Sequence, residues 1–120
     1  MTKMSNVTII TNPDRLPELK HALNELGVLG MTVTHVEGCG MQLGGTGYYR
    51  GTKRDMSLLP KVKVEVVVSA IPVDDVIAAA EKVLNSDDIG AGKIFVYDVE
   101  KIIRVRTGET DYDALQKSDK

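Results

Sequence analysis

Four cations in this chain stand where they could grip an anion, and no nucleophile or metal-ligand cluster accompanies them. Lys93 closes the run Ile89-Gly90-Ala91-Gly92-Lys93. Glycines flanking a small residue can turn backbone N–H groups toward a phosphate, and the lysine adds charge. The run is not a Walker A loop, because its spacing is too short and a strand pattern follows it. A plain turn into a strand is the simpler reading of that run alone. Arg104-Val105-Arg106 alternates, so a strand there would hold both guanidinium groups on one face for bidentate contact with phosphate oxygens. A charged, solvated edge strand is the alternative. Together with Lys61, these residues give an expectation of an anion site. Catalytic patterns are missing: His21 and His35 lack a third ligand at useful spacing, Cys39 lacks a base, and Asp74-Asp75 suit a helix N-terminus. The chain reads as a binder, not an enzyme.

The segment from Gly38 to Pro60 holds six of the eleven glycines, two adjacent tyrosines and the only Lys-Arg pair. A stretch this long without regular structure is usually functional when it occurs in a compact domain. Its base, Gly38-Cys39-Gly40-Met41-Gln42, would let backbone approach a ligand that a Cβ would obstruct. Cys39 reads as the small residue of a tight Gly-x-Gly turn. The tip carries Tyr48, Tyr49, Arg50, Lys53 and Arg54, and tyrosine and arginine are the types that most often anchor interfaces. A loop spanning about 38–60 with a partner-binding tip is the expectation.

Regular elements must position these groups. Val7 to Thr11 is β-branched and reads as a buried strand. Asp14 is the expected N-cap of a first helix, with Pro17 in its first turn. Leu16, Leu19, Leu23 and Leu26 mark that helix's inner face, and Gly27 stops it. Met31 to Glu37 alternates as a strand, and Lys61 to Val68 alternates more sharply. Pro72 fits a first helical position, before a face of Val73, Val76, Ile77, Ala80, Val83 and Leu84. Lys93 to Tyr97 reads as a fourth strand, Ile102 to Arg106 as a short fifth one, and 109–120 as a flexible polar tail. Two strand-helix-strand units in tandem predict an α+β, ferredoxin-like βαββαβ sandwich in a single domain over 1–120. Both helices would cover one sheet face, leaving the other solvated or buried against further subunits.

Composition sets the outer limits. The 120 residues are 42% hydrophobic and 27% charged, with no tryptophan and one phenylalanine. A core that thin in aromatics often gains from oligomerisation. The net charge of −2 argues against a protein that coats nucleic acid. A single cysteine allows no internal disulfide and suits a reducing cytoplasm. No apolar run approaches spanning length, and the N-terminus carries no secretory pattern.

In this order the segments resemble the PII family of nitrogen and energy signalling proteins, in its GlnB/GlnK-like form. The stretches that carry the resemblance are Leu26-Gly27 through Gly30 to Thr34, Tyr49-Arg50-Gly51, Leu59 to Glu65, Gly92 to Val96 and Ile103 to Glu109. The opening Gly-Cys-Gly of the loop is similar to the Gram-positive branch associated with ammonium transport. The resemblance implies a homotrimer with the open sheet faces around its axis. It also implies three clefts between subunits that bind ATP or ADP competitively. One subunit would contribute Ile10, Gly38, Cys39, Gly40, Met41, Gln42 and Val67. Its neighbour would contribute Thr32, Gly90, Ala91, Gly92, Lys93, Arg104 and Arg106. Magnesium and 2-oxoglutarate would be recruited through Gln42 and Lys61. The long loop, called the T-loop in the family, would bring a cytoplasmic protein to a membrane transporter or its cytoplasmic subunit, with Arg50 at the docking tip.

Several positions depart from the family pattern. Met41 and Leu43 stand where basic residues are common, Ala91 where aspartate is usual, and Asp88 where a lysine often precedes the turn. They imply retuned phosphate binding and altered or lost 2-oxoglutarate sensing. Arg54 replaces the tyrosine that enterobacterial relatives uridylylate, and Thr52 aligns with a serine phosphorylated in others. Three further readings stand beside transporter control. The trimer could sequester a transcription factor or enzyme of nitrogen metabolism, serve as an adaptor of another ABC-type transporter, or turn ATP over slowly.

Overall fold

The computed structural model describes residues 3–40, 48–49, 53–54, 57–85 and 91–117. Strand β1 (Ser5–Thr11) leads through a 3-10 turn (Pro13–Arg15) into helix α1 (Leu16–Glu25). Strand β2 (Thr32–Gly40), the short β3 (Tyr48–Tyr49) and β4 (Lys53–Arg54), and the long β5 (Ser57–Val68) follow. Helix α2 (Val73–Leu84), strand β6 (Lys93–Asp98) and a helical turn α3 (Asp111–Ala114) complete the described chain.

The main sheet has the order β2-β5-β1-β6, and every neighbouring pair is antiparallel. That is the ferredoxin-like arrangement expected from the tandem pattern. The register fixes the two faces. Val7 pairs with Val66 and Val96, and Ile9 with Val64 and Ile94, so these residues share one face. Onto it pack Leu19 and Leu23 of α1 and Val76, Ala80 and Leu84 of α2, all buried at helical i,i+4 spacing. Burial of this valine-leucine slab drives the sandwich together.

Helix starts differ from expectation in detail. Asp14 lies inside the 3-10 turn, whose N-cap is Asn12, and Arg15 is the N-cap of α1. Pro17 does occupy the first turn of α1. Pro72 sits one place earlier than expected, as the extended N-cap of α2. Its fixed φ suits that position as well, because an N-cap residue has non-helical backbone.

Both ends of the glycine-rich segment are also more regular than the sequence suggested. Gly38, Cys39 and Gly40 are not a tight turn but strand, paired with Leu59, Leu58 and Ser57. The expected 38–60 loop is therefore shorter at each end. Within it, Tyr48 pairs with Arg54 and Tyr49 with Lys53 in a separate two-stranded ladder. Ile102 to Arg106, expected as a fifth strand, supplies one bridge, Ile103 to Thr110, and then turns. Gly108, at φ +77°, reverses the chain, and its N–H donates to the Arg104 carbonyl at 2.7 Å. Residues 111–117 of the expected flexible tail fold back, and Ala114 is only 9% exposed. No helix among the described residues is long and apolar enough to cross a membrane.

Candidate functional site

The candidate site residues fall into two groups at opposite ends of one sheet. Along β5, Lys61 and Val67 are six residues apart, which at strand rise separates them by about 20 Å.

The first group surrounds the root of the β2–β5 hairpin. Gly38 pairs with Leu59, and a Cβ on it would lie 3.0 Å from Lys61 Cγ. The missing side chain lets the lysine stem cross the strand. Lys61 Nζ then donates to Asn12 Oδ1 at 2.6 Å. Asn12 thus spends its side chain on the lysine rather than capping the 3-10 turn that it precedes. Beside it, Thr11 Oγ1 donates to the Ala91 carbonyl at 2.7 Å, fixing the turn into β6. Gly92 in that turn has φ +138°, and a Cβ there would meet the Ile10 carbonyl oxygen at 2.5 Å. Only glycine fits, and the backbone passes close to Ile10 as a result. Ile10 pairs with Lys93 on one side and Lys63 on the other. Lys61, Lys63 and Lys93 therefore share the sheet face away from the helices, at this end. Gly40 continues β2, while Met41, Gln42 and Gly90 lie outside the described residues.

The second group surrounds a cleft of about 830 Å³, within the range of small-molecule sites. Gly30, Val67, Ser69, Ile71, Arg104 and Arg106 are among its lining residues. Thr32 opens β2 nearby and pairs with Glu65, two residues before Val67. Arg104 is heavily engaged. Its Nη1 meets Glu109 Oε1 at 2.6 Å, and its Nη2 donates to the carbonyls of Ala114, at 2.8 Å, and Gln116. Thr107 Oγ1 donates to the same Glu109 oxygen at 2.7 Å. Arg106 is exposed and makes no hydrogen bond or ion pair among the described residues.

Within the single chain this grouping differs from the division expected from the resemblance. Ala91, Gly92 and Lys93 belong with Ile10 and the hairpin root, because Thr11 and Ile10 hold their turn. Val67 belongs instead with Arg104 and Arg106, at the far end of β5. Asn12, Thr11 and Glu109 were missed by sequence reasoning. Asn12 precedes a proline, a step that by itself signals only the end of a strand, and the Glu109 contact depends on the Gly108 reversal. Among the partner-binding candidates, Tyr48, Tyr49, Lys53 and Arg54 form the small ladder, and Arg50 lies outside the described residues. No three His, Cys, Asp or Glu residues gather as metal ligands among the described residues.

The chain is thus a four-stranded ferredoxin-like sandwich with a long hairpin and two separated groups of cations. The chain belongs to the nitrogen regulatory protein P-II family, whose profile matches residues 4–109. It is 46% identical to the nitrogen regulatory protein P-II of Pasteurella multocida over 112 residues, covering 93% of this chain and all of that protein. Identity to the nitrogen regulatory PII-like protein of Bacillus subtilis is 42%, over 94% of this chain and 97% of the relative. The structure of B. subtilis GlnK superposes with a TM-score of 0.82 at 41% identity, over 95% of this chain and 100% of that one. The B. subtilis GlnK–ATP complex also gives 0.82, at 38% identity over 96% and 99%. As a P-II protein the chain is a nitrogen-signalling regulator and not an enzyme.

Proposed function

We propose that this regulator is a cytoplasmic homotrimer that binds ATP and ADP competitively in clefts shared between neighbouring subunits. In this reading the long hairpin takes the nucleotide state to a membrane transporter, an ammonium channel or a related uptake system. The observation that carries the proposal is the separation of the cations. Lys61 and Lys93 cannot meet Arg104 and Arg106 within one chain, yet one copy's hairpin root can face the next copy's arginine cleft. Ile10, the Gly38 to Gln42 base and the Gly90 to Lys93 turn would then come from one subunit. Thr32, Val67, Arg104 and Arg106 would come from its neighbour. Phe95 and Tyr97 support assembly: they stack edge-on at 6.5 Å on the helix-free face, 40% and 50% exposed. The similarity to GlnK in complex with ATP supports the choice of nucleotide.

Calorimetry with mixed trimers tests the shared cleft. Lys93→Ala and Arg106→Ala should each weaken ATP binding at least tenfold in homotrimers, since each removes a charge-assisted contact. Trimers containing both variants should regain one intact cleft of near wild-type affinity. Absence of that recovery would place both residues in a cleft of a single subunit.

The loop's role is tested separately. Arg50→Ala should abolish retention of the transporter on immobilised trimer and leave nucleotide affinity unchanged. Retention that survives the change would remove the tip from the mechanism. Magnesium would enter with the nucleotide, and 2-oxoglutarate would meet Gln42 and a Lys61 already held by Asn12. With neutral Met41 and Leu43 beside them, added 2-oxoglutarate should change the ATP heat by less than twofold.

A further inference from the structure

We propose that residues 111–116 form a strap that withholds Arg104 from anions until phosphate displaces it. This regulation rests on the reading of the cleft as a nucleotide-phosphate site. A guanidinium offers two bidentate edges, Nε with Nη2 and Nη1 with Nη2, and both require Nη2. In Arg104 both Nη2 hydrogens are committed, one to the Ala114 carbonyl and one to that of Gln116. Glu109 occupies Nη1 as well. The arginine is therefore present in the cleft with neither fork available. Arg106, two residues on and unengaged, is the group free to make first contact.

The strap is anchored but under tension. The Asp111 N–H donates to the Ile102 carbonyl at 2.9 Å, and Asp111 Oδ1 accepts from the Ile102 N–H at 3.1 Å. Ala114 is buried against the cleft that the two arginines line. Asp111, however, has φ +53°, a left-handed conformation that a non-glycine residue adopts at a cost. Release would relieve that strain and convert two neutral acceptors on Arg104 into one bidentate, charge-assisted pair.

Two measurements on the full chain decide the matter. Ala114→Gln puts a larger polar side chain into the strap's buried contact without adding charge. It should tighten ADP and ATP binding about tenfold, the equivalent of one or two lost competing hydrogen bonds. The same change in an Arg104→Ala background should give no gain. On the wild-type protein, nucleotide should accelerate amide hydrogen exchange at Asp111, Leu115 and Gln116. Unchanged or weaker binding by Ala114→Gln, or an equal gain without Arg104, overturns the strap while leaving the nucleotide site standing. If the variant does not fold, exchange that stays constant or slows as nucleotide binds overturns it equally. No heat with either nucleotide, in any form, removes the nucleotide reading and the strap with it.

Discussion

The hairpin-root end and the arginine end of the sheet handle cations in different ways. At the root, lysines are positioned by what is absent: Gly38 leaves room for the Lys61 stem, and Gly92 lets the turn before Lys93 pass close to Ile10. At the other end Arg104 is positioned by what is added, a carboxylate and two backbone carbonyls from a folded-back segment. The first arrangement is built into strand pairing and changes only if the sheet changes. The second hangs on a few local bonds near the end of the chain. The proposed strap would use that difference, with the root as its fixed reference.

Substitutions should separate the two ends by the size of their effect. Leu23→Ala, in the slab beneath both, should lower unfolding free energy by about 4 kcal/mol in denaturant titration. Both ends should weaken together, with one cooperative transition. Gly92→Ala should cost about 3 kcal/mol, because a Cβ at positive φ would also strike the Ile10 carbonyl. Preserved stability there would mean that the root is not fixed by close approach. Glu109→Gln keeps an acceptor but removes the charge opposite Arg104, and about 1 kcal/mol of stability should go with it. A loss as large as that at Gly92 would make the arginine end as rigid as the root and break the contrast. Gly38→Ala should change stability by less than about 0.5 kcal/mol, since strand propensity offsets the shift of a flexible lysine stem. Its signature should be displaced Lys61 resonances rather than a changed midpoint.

Much of the framework was legible because its signals are periodic and local. Alternation in Lys61 to Val68 and i,i+4 spacing in both helices placed the core face, and the sheet order followed from the tandem units. The site was legible in residue type but not in grouping. Lys93 and Arg104 both read as cations of one anion site, and only the folded chain assigns them to opposite ends, Lys93 opposite Ile10 and Arg104 to the cleft beside Val67. Gly38 to Gly40 read as a turn because glycine favours turns, whereas pairing with Ser57 to Leu59 depends on a partner seventeen or more residues away. Ile102 to Arg106 alternates like a strand, but Gly108 reverses the chain and leaves Val105 94% exposed. The tail's polarity concealed what seats it: the buried Ala114, the bonds of Asp111 to Ile102, and the Ala114 and Gln116 carbonyls on Arg104.

The unequal lengths of β1 and β5 have a mechanical consequence. β1 pairs with β5 only from Val62 to Val68, whereas β2 stays paired with β5 out to Gly40 and Ser57. Five residue pairs, from Val36–Lys61 to Gly40–Ser57, therefore extend beyond the end of β1 as a two-stranded ribbon about 17 Å long. Pro60, which brings no N–H to either neighbour, sits next to the fulcrum at Lys61. A tilt of roughly 10° there would sweep the ribbon's end through about 3 Å. Small displacements of a lysine's surroundings would thus be geared up into a larger motion at the ribbon's far end.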